Sequence, residues 1–363
     1  MLKIISVVGA RPNFMKVAPL HRAFTQSGKI DSFICHTGQH YDAQMSTIFF
    51  EQLELPKPHE YLGVQGGSHA QQTAAVMTRF EEVLEREKPE VVLVVGDVNS
   101  TLACSITAKK LHIPVVHVEA GLRSGDMRMP EEVNRIVTDS ISDHLFVTEQ
   151  SGLDHLHKAG VPKERVHFTG NVMIDSLVYY QKKAEKESIL EELKLKTGQY
   201  ILSTLHRPSN VDTRESLGNL MDIIKGLTSQ KPVVLPLHPR TAHNLRKFDL
   251  YNDFVNIPRL IITEPQGYLP FLKLIKHAAA LVTDSGGIQE ETTFLGIPCI
   301  TLRENTERPI TITMGTNQMA VIAREPVLQA LAQSQSKKGH IPPLWDGNAA
   351  QRICEKLLKI YGS

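Results

Sequence analysis

Three carboxylates in the first half of the chain are the strongest candidates for proton-transfer chemistry. Asp97 and Glu119 each follow an apolar run, and Glu131 stands at the expected start of a helix that continues through Arg135. The two runs are predicted to be adjacent strands, so the carboxylates of Asp97 and Glu119 should converge. Clustered carboxylates raise one another's pKa, which makes one of them a workable acid or base near neutral pH.

Each of these carboxylates also has a simpler interpretation. Asp97 is explained equally well as a turn former, and Glu119 as an ion-pair partner of Arg123. Glu131 is explained as a first-turn acid that the helix dipole favours. The simpler interpretations are weakened because all three residues are expected beside a basic pocket suited to phosphate.

The segment Asp284–Glu291 carries the pattern that defines this phosphate pocket. A strand is predicted to end there, Gly286 and Gly287 allow close backbone approach, and a helix begins. The free N–H groups and positive dipole end of a helix attract a phosphate or diphosphate. Ser285 adds a hydroxyl donor, and Glu291 lies one turn into the helix, within reach of ribose hydroxyls. The alternative is a plain strand–helix turn in which Ser285 caps the helix.

Basic residues after other predicted strands supply positive charge for a diphosphate, so that no metal ion is required. They are Arg11, Lys16, His206, Arg207, Arg240 and Arg308. A surface salt bridge is the simpler interpretation of any one of them. Gln266 and the rings of Tyr268 and Phe271 are candidates for holding a uracil, although core packing is the favoured interpretation of the two rings. The chain has neither GxGxxG nor GxxxxGK[ST] at the phosphate segment, so neither a nicotinamide cofactor nor ATP is indicated.

These residues are positioned by a regular alternation of apolar, β-branched runs with segments of helical period. The predicted strands are residues 3–8, 32–36, 90–95, 114–118, 144–148, 200–205, 232–237, 260–263, 279–283 and 298–302. The predicted helices are 14–26, 69–88, 100–111, 213–229, 269–277, 286–295 and 348–361, with a solvated surface helix over 182–196. This βαβα order predicts parallel sheets covered by helices on both faces. The fold class is therefore α/β, with two Rossmann-like, doubly wound parallel-sheet domains facing a central cleft.

The length of 363 residues fits two domains of ordinary size. We predict an N-terminal domain over 1–170 that carries the acidic residues, and a C-terminal domain over 171–347 that binds the phosphate group. Residues 348–363 are expected to form a helix that packs back on the first domain.

The composition excludes several classes of partner and setting. Lys and Arg number 40 against 39 Asp and Glu, and this balance argues against nucleic acid or an anionic membrane as the main partner. No apolar run approaches the ~18 residues of a membrane-spanning helix, and Met1–Arg11 is predicted as a buried strand rather than a signal sequence. The four cysteines form no CxxC pair, so neither a zinc site nor a disulfide framework is indicated, and a reducing cytoplasm is expected.

Short polar motifs follow one another along nearly the whole chain. They occupy residues 9–16, 37–40, 96–101, 117–123, 129–135, 205–207, 265–271, 283–291 and 307–309. Together they resemble the motifs of the non-hydrolysing UDP-N-acetylglucosamine 2-epimerases, which share the GT-B fold with many glycosyltransferases. The resemblance implies an isomerase that converts UDP-N-acetylglucosamine to UDP-N-acetylmannosamine by eliminating UDP to a 2-acetamidoglucal and adding it back. It also implies a homodimer and a role in surface-polysaccharide biosynthesis, and we expect no cofactor and no metal.

The resemblance assigns expected roles to individual residues. UDP would be held by Arg11, Gln266, Phe271, Ser285, Gly286, Gly287, Glu291 and Arg308. The sugar and catalytic region would contain Lys16, Asp97, Glu119, Glu131, Arg135 and His206, of which Asp97, Glu119, Glu131 and His206 are the expected catalytic residues.

Two departures from the family pattern bear on substrate and regulation. Residues 208–210 are Pro-Ser-Asn, where family members often carry charged residues, and this affects sugar recognition. The stretch 39–44 is longer than the version associated with regulation by a second substrate molecule, so allosteric activation stays open. The alternatives are a 2-epimerase of a related UDP-sugar such as a diacetamido-glucuronate, a GT-B glycosyltransferase, a non-catalytic UDP-sugar sensor and a hydrolysing variant.

Overall fold

The protein consists of two compact units, which we describe separately. The structure, a computed structural model, describes residues 1–39 and 53–362, and the side chain of Arg11 lies outside the described part. The first unit contains Met1–Tyr179 and Pro343–Ser363, and the second contains Tyr180–Pro342. Of the stretch 39–44, in which the sequence leaves allosteric activation open, residues 40–44 lie outside the described residues.

The first unit is built on a parallel sheet. Its strands within the described residues are β1 (Leu2–Val8), β2 (Ile30–His36), β3 (Glu60–Tyr61), β4 (Val91–Val95), β5 (Val115–Ala120), β6 (His144–Val147) and β7 (Val166–Phe168). They lie in the order β3-β2-β1-β4-β5-β6-β7. Ile4 of β1 pairs with Ser32 of β2 on one side and with Val91 of β4 on the other. The chain order therefore reverses at β1, and the carboxyl ends of β1 and β4 are where a doubly wound sheet binds its ligand.

Helices cover this sheet and position the polar residues at its carboxyl end. They are α1 (Arg11–Ser27), α2 (His69–Glu87), α3 (Asn99–Lys110), α4 (Pro130–Ile141), α5 (Gln150–Lys158), α6 (Val172–Ala184) and, at the end of the chain, α16 (Ala349–Tyr361). Pro130 starts α4 with acidic residues in its first turn, which the helix dipole favours. Helix α16 packs against α1. The carboxylate of Asp175 in α6 accepts the first N–H groups of α16, from Ala349 and Ala350.

The second unit repeats the same architecture with shorter strands. In the part of the unit that the structure describes, these are β8 (Ile201–Thr204), β9 (Val233–Pro236), β10 (Leu260–Thr263), β11 (Ala280–Thr283), β12 (Cys299–Thr301) and β13 (Asn317–Met319). Their order is β10-β9-β8-β11-β12-β13, so the reversal falls at β8. The helices are α7 (Ile189–Glu192), α8 (Pro208–Val211), α9 (Arg214–Gln230), α10 (Pro239–Lys247), α11 (Tyr251–Val255), α12 (Tyr268–His277), α13 (Gly286–Leu295), α14 (Ile310–Thr313) and α15 (Arg324–Ser334).

The predicted α/β class with two doubly wound parallel sheets is confirmed. Every predicted strand is present, but the sequence pattern missed β3, β7 and β13, which are two or three residues long. The predicted surface helix over 182–196 is wrong. Helix α6 ends at Ala184, and Ile189 and Leu190 of the short α7 are buried. Among the described residues, no helix is long and apolar enough to cross a membrane.

Candidate functional site

Glu119 and Lys16 form a buried ion pair at the carboxyl end of the first sheet. The Nζ atom of Lys16 lies 2.5 Å from Oε2 of Glu119, and the two side chains are 6% and 2% exposed. Gly96 makes room for the ammonium group, because a Cβ at that position would lie 2.9 Å from Nζ. The structure thus gives Glu119 a different partner from Arg123, which contacts Asp139 instead.

Glu119 is held in a strained backbone conformation. Its φ angle is +72°, and the pairing of β5 with β6 shifts register between Val118 and Ala120. A left-handed conformation costs a non-glycine residue about 1–3 kcal/mol, and bulges that re-aim a side chain are common beside active sites. The geometry therefore marks Glu119 as a functional candidate independently of its charge.

Asp97 is bound by Arg135, which approaches it from α4. The Nε and Nη2 atoms of Arg135 lie 3.0 and 2.6 Å from Oδ2 of Asp97. The third nitrogen, Nη1, donates to Glu132 at 2.6 Å. Glu132 also accepts the N–H groups of Ser124 and Gly125, each at 2.9 Å. Burial alone would raise the pKa of Glu132, but these hydrogen bonds and the Arg135 charge lower it.

The predicted acidic set is therefore arranged differently from the expected carboxylate cluster. Asp97 contacts the guanidinium of Arg135, and Glu119 contacts the ammonium of Lys16. Glu131 lies in the first turn of α4 and is partly exposed, whereas the neighbouring Glu132 contacts Arg135. Sequence reasoning missed Glu132, because Glu131 and Glu132 stand four and three residues before Arg135 and both spacings bring side chains together on a helix.

In the second unit, Asp284 organises the segment that carries His206. Its Oδ2 atom accepts the N–H groups of His206 and Arg207 at 2.9 and 2.8 Å, and the amide of Asn210 at 3.0 Å. Its Oδ1 atom lies 3.1 Å from Nδ1 of His206. Burial alone would raise the pKa of Asp284, but His206 and these N–H groups lower it. The His206 ring is 41% exposed, so Nε2, which points away from Asp284, is suited to contact a ligand.

Helix α13 begins where the sequence predicted a phosphate site. Ser285 occupies the N-cap position, but within the described residues its hydroxyl accepts no hydrogen bond from the helix. The capping alternative is therefore unsupported. A Cβ on Gly286 would lie 2.8 Å from Oε1 of Glu307, whereas no described heavy atom lies within 4 Å of a Cβ built on Gly287. Backbone N–H groups at this open turn can approach an anion closely.

Arg308 lies beside this helix start in a buried network of alternating charges. Its Nε atom lies 2.9 Å from Glu290, and its Nη1 atom contacts Glu307. Glu307 also pairs with Arg303 at 2.9 Å. Sequence reasoning missed these partners of Arg308. By contrast, Arg240 is bound by Asp212 on the surface at 2.7 and 2.5 Å, as its simpler interpretation proposed.

The remaining predicted nucleotide contacts lie around α12. Burial raises the pKa of Glu291 to about 7, with Glu290 adding to the shift and a hydrogen bond from Tyr268 opposing it. Tyr268 is buried, and Phe271 is partly buried against the neighbouring hydrophobic core. The Gln266 amide donates to the carbonyl of Glu264 at 2.8 Å. Within the described residues, no three His, Cys, Asp or Glu side chains gather as metal ligands.

The family model for UDP-N-acetylglucosamine 2-epimerases matches residues 22–358 of the chain. This chain belongs to that family. A Methanococcus maripaludis protein named UDP-N-acetylglucosamine 2-epimerase is 41% identical over 359 residues, with 97% of each chain covered. The expected resemblance to these epimerases is confirmed.

Two further relatives of this epimerase-family chain are a protein named for a different UDP-sugar and a crystal structure with bound nucleotide. A Pseudomonas aeruginosa protein named UDP-2,3-diacetamido-2,3-dideoxy-D-glucuronate 2-epimerase is 38% identical over 366 residues, covering 99% of this chain and 100% of its own. The crystal structure of Methanocaldococcus jannaschii UDP-GlcNAc 2-epimerase in complex with UDP-GlcNAc and UDP has a TM-score of 0.90 at 39% identity, covering 99% of this chain and 100% of that one. The GT-B fold expected for the family is therefore confirmed.

Proposed function

We propose that this chain is a non-hydrolysing epimerase that interconverts UDP-N-acetylglucosamine and UDP-N-acetylmannosamine. The observation that carries the proposal is the pair of carboxylate–cation contacts, Glu119–Lys16 and Asp97–Arg135, in a chain of this family. Both contacts lie at the carboxyl end of the first sheet, where a doubly wound fold places its chemistry.

The reaction requires the nucleotide to leave before the stereocentre can change. The hydrogen on carbon 2 is not beside a carbonyl, so a side chain cannot remove it directly at a useful rate. When the bond between carbon 1 and the UDP oxygen breaks, UDP keeps the electron pair and an oxocarbenium-like centre remains. A carboxylate then takes the acidified proton from carbon 2, which gives 2-acetamidoglucal and UDP. Re-addition of UDP, with protonation of carbon 2 on the opposite face, gives the epimer.

Roles follow from the chemistry at each position. In the second unit, Ser285, Gly286 and Gly287 would donate to the diphosphate at the start of α13, where its dipole favours negative charge. Glu291 would accept from the ribose hydroxyls. The other proposed nucleotide contacts are Arg11, Gln266, Phe271 and Arg308.

The first unit would act on the sugar. Asp97, Glu119 and Glu131 would share proton transfer and stabilisation of the positive centre, and Lys16 and Arg135 would orient the carboxylates and the sugar. His206 of the second unit, oriented by Asp284, would contact the diphosphate or donate a proton to it.

Proton NMR of the purified chain with UDP-N-acetylglucosamine alone in deuterium oxide tests the proposal. The expected product is UDP-N-acetylmannosamine that carries deuterium on carbon 2. Free N-acetylmannosamine would indicate a hydrolysing enzyme. Product that retains hydrogen at carbon 2 would contradict elimination, and no reaction without an acceptor would favour a glycosyltransferase or a sensor.

One relative supports a second candidate substrate. The diacetamido-glucuronate epimerase is 38% identical to this chain, against 41% for a relative named for UDP-N-acetylglucosamine. Such close values do not discriminate between the two sugars. The ratio of kcat/KM for the two UDP-sugars, measured in parallel, decides which one this chain prefers.

We also propose that the enzyme is a cytoplasmic homodimer. The four cysteines are free and buried, which supports a reducing compartment, and the family resemblance supports the dimer. Light scattering on the purified chain, expected to give twice the mass of 40.5 kDa, tests the assembly.

A further inference from the structure

One buried carboxylate, Asp139, binds the chain on both sides of Glu119. Its Oδ1 atom lies 2.7 Å from Nδ1 of His117, two residues before Glu119. Its Oδ2 atom accepts the N–H group of Gly121 at 3.1 Å, two residues after Glu119. Arg123 donates to the same oxygen at 2.6 Å. Asp139 therefore spans the strained bulge through His117 and Gly121.

His117 extends this connection to the end of β4. Its Nε2 atom lies 2.8 Å from the carbonyl oxygen of Gly96. The His117 ring therefore bridges the Asp139 carboxylate and the backbone carbonyl of Gly96. Gly96 directly precedes Asp97 and packs against the ammonium of Lys16. The Asp139–His117 contact thus fixes the backbone on which both candidate carboxylates depend.

Asp139 is buried and contacts His117, Gly121 and Arg123. It is 2% exposed, and it stands one helical turn after Arg135, which binds Asp97, so α4 supports both candidate carboxylates. Burial alone would raise its pKa, but His117 and Arg123 lower it. Its charge-assisted hydrogen bonds offset the backbone strain at Glu119.

We propose that Asp139 is a positioning residue for epimerisation, and that it holds the Glu119 bulge in the left-handed conformation that brings the carboxylate to Lys16. The kinetic part of this inference rests on the proposed function, whereas its conformational part does not. The residue acts through His117 and Gly121 and does not contact the substrate.

The test compares Asp139→Asn with a matched control, Asp143→Asn. Asp143 holds the other end of β5, where it accepts the N–H group of Val115 at 2.7 Å and pairs with Lys109 at 2.8 Å. The measurements are kcat and KM for UDP-N-acetylglucosamine per folded protein, the Kd for UDP, and a crystal structure of each variant. Asp139→Asn should lower kcat by about 100-fold, the usual effect of misplacing a reacting group by about 1 Å. KM and the Kd for UDP should stay within about threefold, and the control should keep a near-normal kcat.

The crystal structure separates this inference from the proposed function. Asp139→Asn should move residue 119 out of the left-handed region and lengthen the contact between Lys16 and Glu119. An unchanged bulge, or a changed bulge with normal kcat, would overturn the inference. If wild-type protein shows no epimerisation, the proposed function fails, and the bulge in the variant still decides the conformational part. If Asp139→Asn does not fold, His117→Gln replaces the ring that contacts both Asp139 and Gly96, and a kcat equal to that of wild type would overturn the inference.

Discussion

The candidate sites of the two units hold their charges in different ways. In the first unit, Glu119 and Asp97 contact cationic side chains, and the backbone at Glu119 is strained. In the second unit, Asp284 accepts two backbone N–H groups beside the side chains of Asn210 and His206, and α13 presents its own N–H groups at an open turn. Charged side chains exchange protons and partners during a reaction, whereas backbone donors are fixed by the fold. The first arrangement suits proton transfer, and the second suits binding of a constant anion.

The largest effect is expected from breaking the buried pair in the first unit. Glu119→Gln leaves the Lys16 ammonium buried without its counter-charge, so the free energy of unfolding should fall by about 3–5 kcal/mol. Turnover should fall by more than about 100-fold. Adding Lys16→Met should restore much of the stability and none of the activity. Urea unfolding and the NMR assay measure both quantities, and a double variant less stable than Glu119→Gln would contradict the ion-pair explanation.

The buried acid of the second unit should make stability depend on pH. The folded pKa of Glu291 is raised from 4.5 to about 7, so folding binds a proton, and this contribution is lost as pH rises through that range. The loss amounts to about 3 kcal/mol at most. Glu291→Gln lacks this dependence, so its stability relative to wild type should improve steadily from pH 5 to pH 8 in urea unfolding. Parallel curves for the two proteins would show that Glu291 titrates normally.

The accessible carboxylates of the first unit should affect activity more than stability. Asp97 is 24% exposed, and its partner Arg135 keeps Glu132 when Asp97 is replaced. Asp97→Asn should therefore cost about 1 kcal/mol of stability but about 100-fold in turnover. Glu131→Gln should lower turnover similarly. Near-normal turnover in both variants would remove these residues from the mechanism.

The positions of the candidate residues could be predicted from the sequence, but their partners could not. Asp97, Glu119 and Asp284 directly follow apolar runs, and parallel strands place such residues at one edge of a sheet. The contacts of Lys16 with Glu119 and of Asp139 with His117 depend on which strands and helices are neighbours, which periodicity does not specify. The same limit explains why Arg123 was a plausible but wrong partner for Glu119.

Helix phase and strand length account for the other differences between the elements predicted from the sequence and those in the structure. Glu131 and Glu132 are adjacent at the start of α4, so their side chains point about 100° apart, and the sequence did not determine which one faces Arg135. Strands as short as β3 carry too few residues for a period-2 pattern. The charges over 182–196 predicted a fully solvated helix. Ile189 and Leu190 within that stretch are buried, so it is not one continuous surface helix.

Within the second unit, Asp284→Asn should weaken binding more than it slows chemistry. The amide loses the charge that binds the N–H groups of His206 and Arg207, which is worth about 2 kcal/mol. The Kd for UDP should rise by about tenfold while kcat changes less, in contrast to Asp97→Asn. Calorimetry and steady-state kinetics on the two variants provide the comparison, and a loss confined to kcat would move Asp284 into the chemical step.

The smallest effect is expected from Arg240→Gln, which tests whether a positive charge on the surface contributes to UDP binding. Arg240 pairs with Asp212 where both side chains are partly exposed, so solvent screens the pair and its contribution should be below about 1 kcal/mol. Arg240→Gln should leave the Kd for UDP unchanged. Arg308→Gln is the informative contrast, because it removes the buried cation that contacts both Glu290 and Glu307, of which Glu307 keeps Arg303. It should destabilise the second unit by several kcal/mol. If Arg240→Gln weakens UDP binding as much as Arg308→Gln does, long-range positive charge and not the buried network would attract the nucleotide.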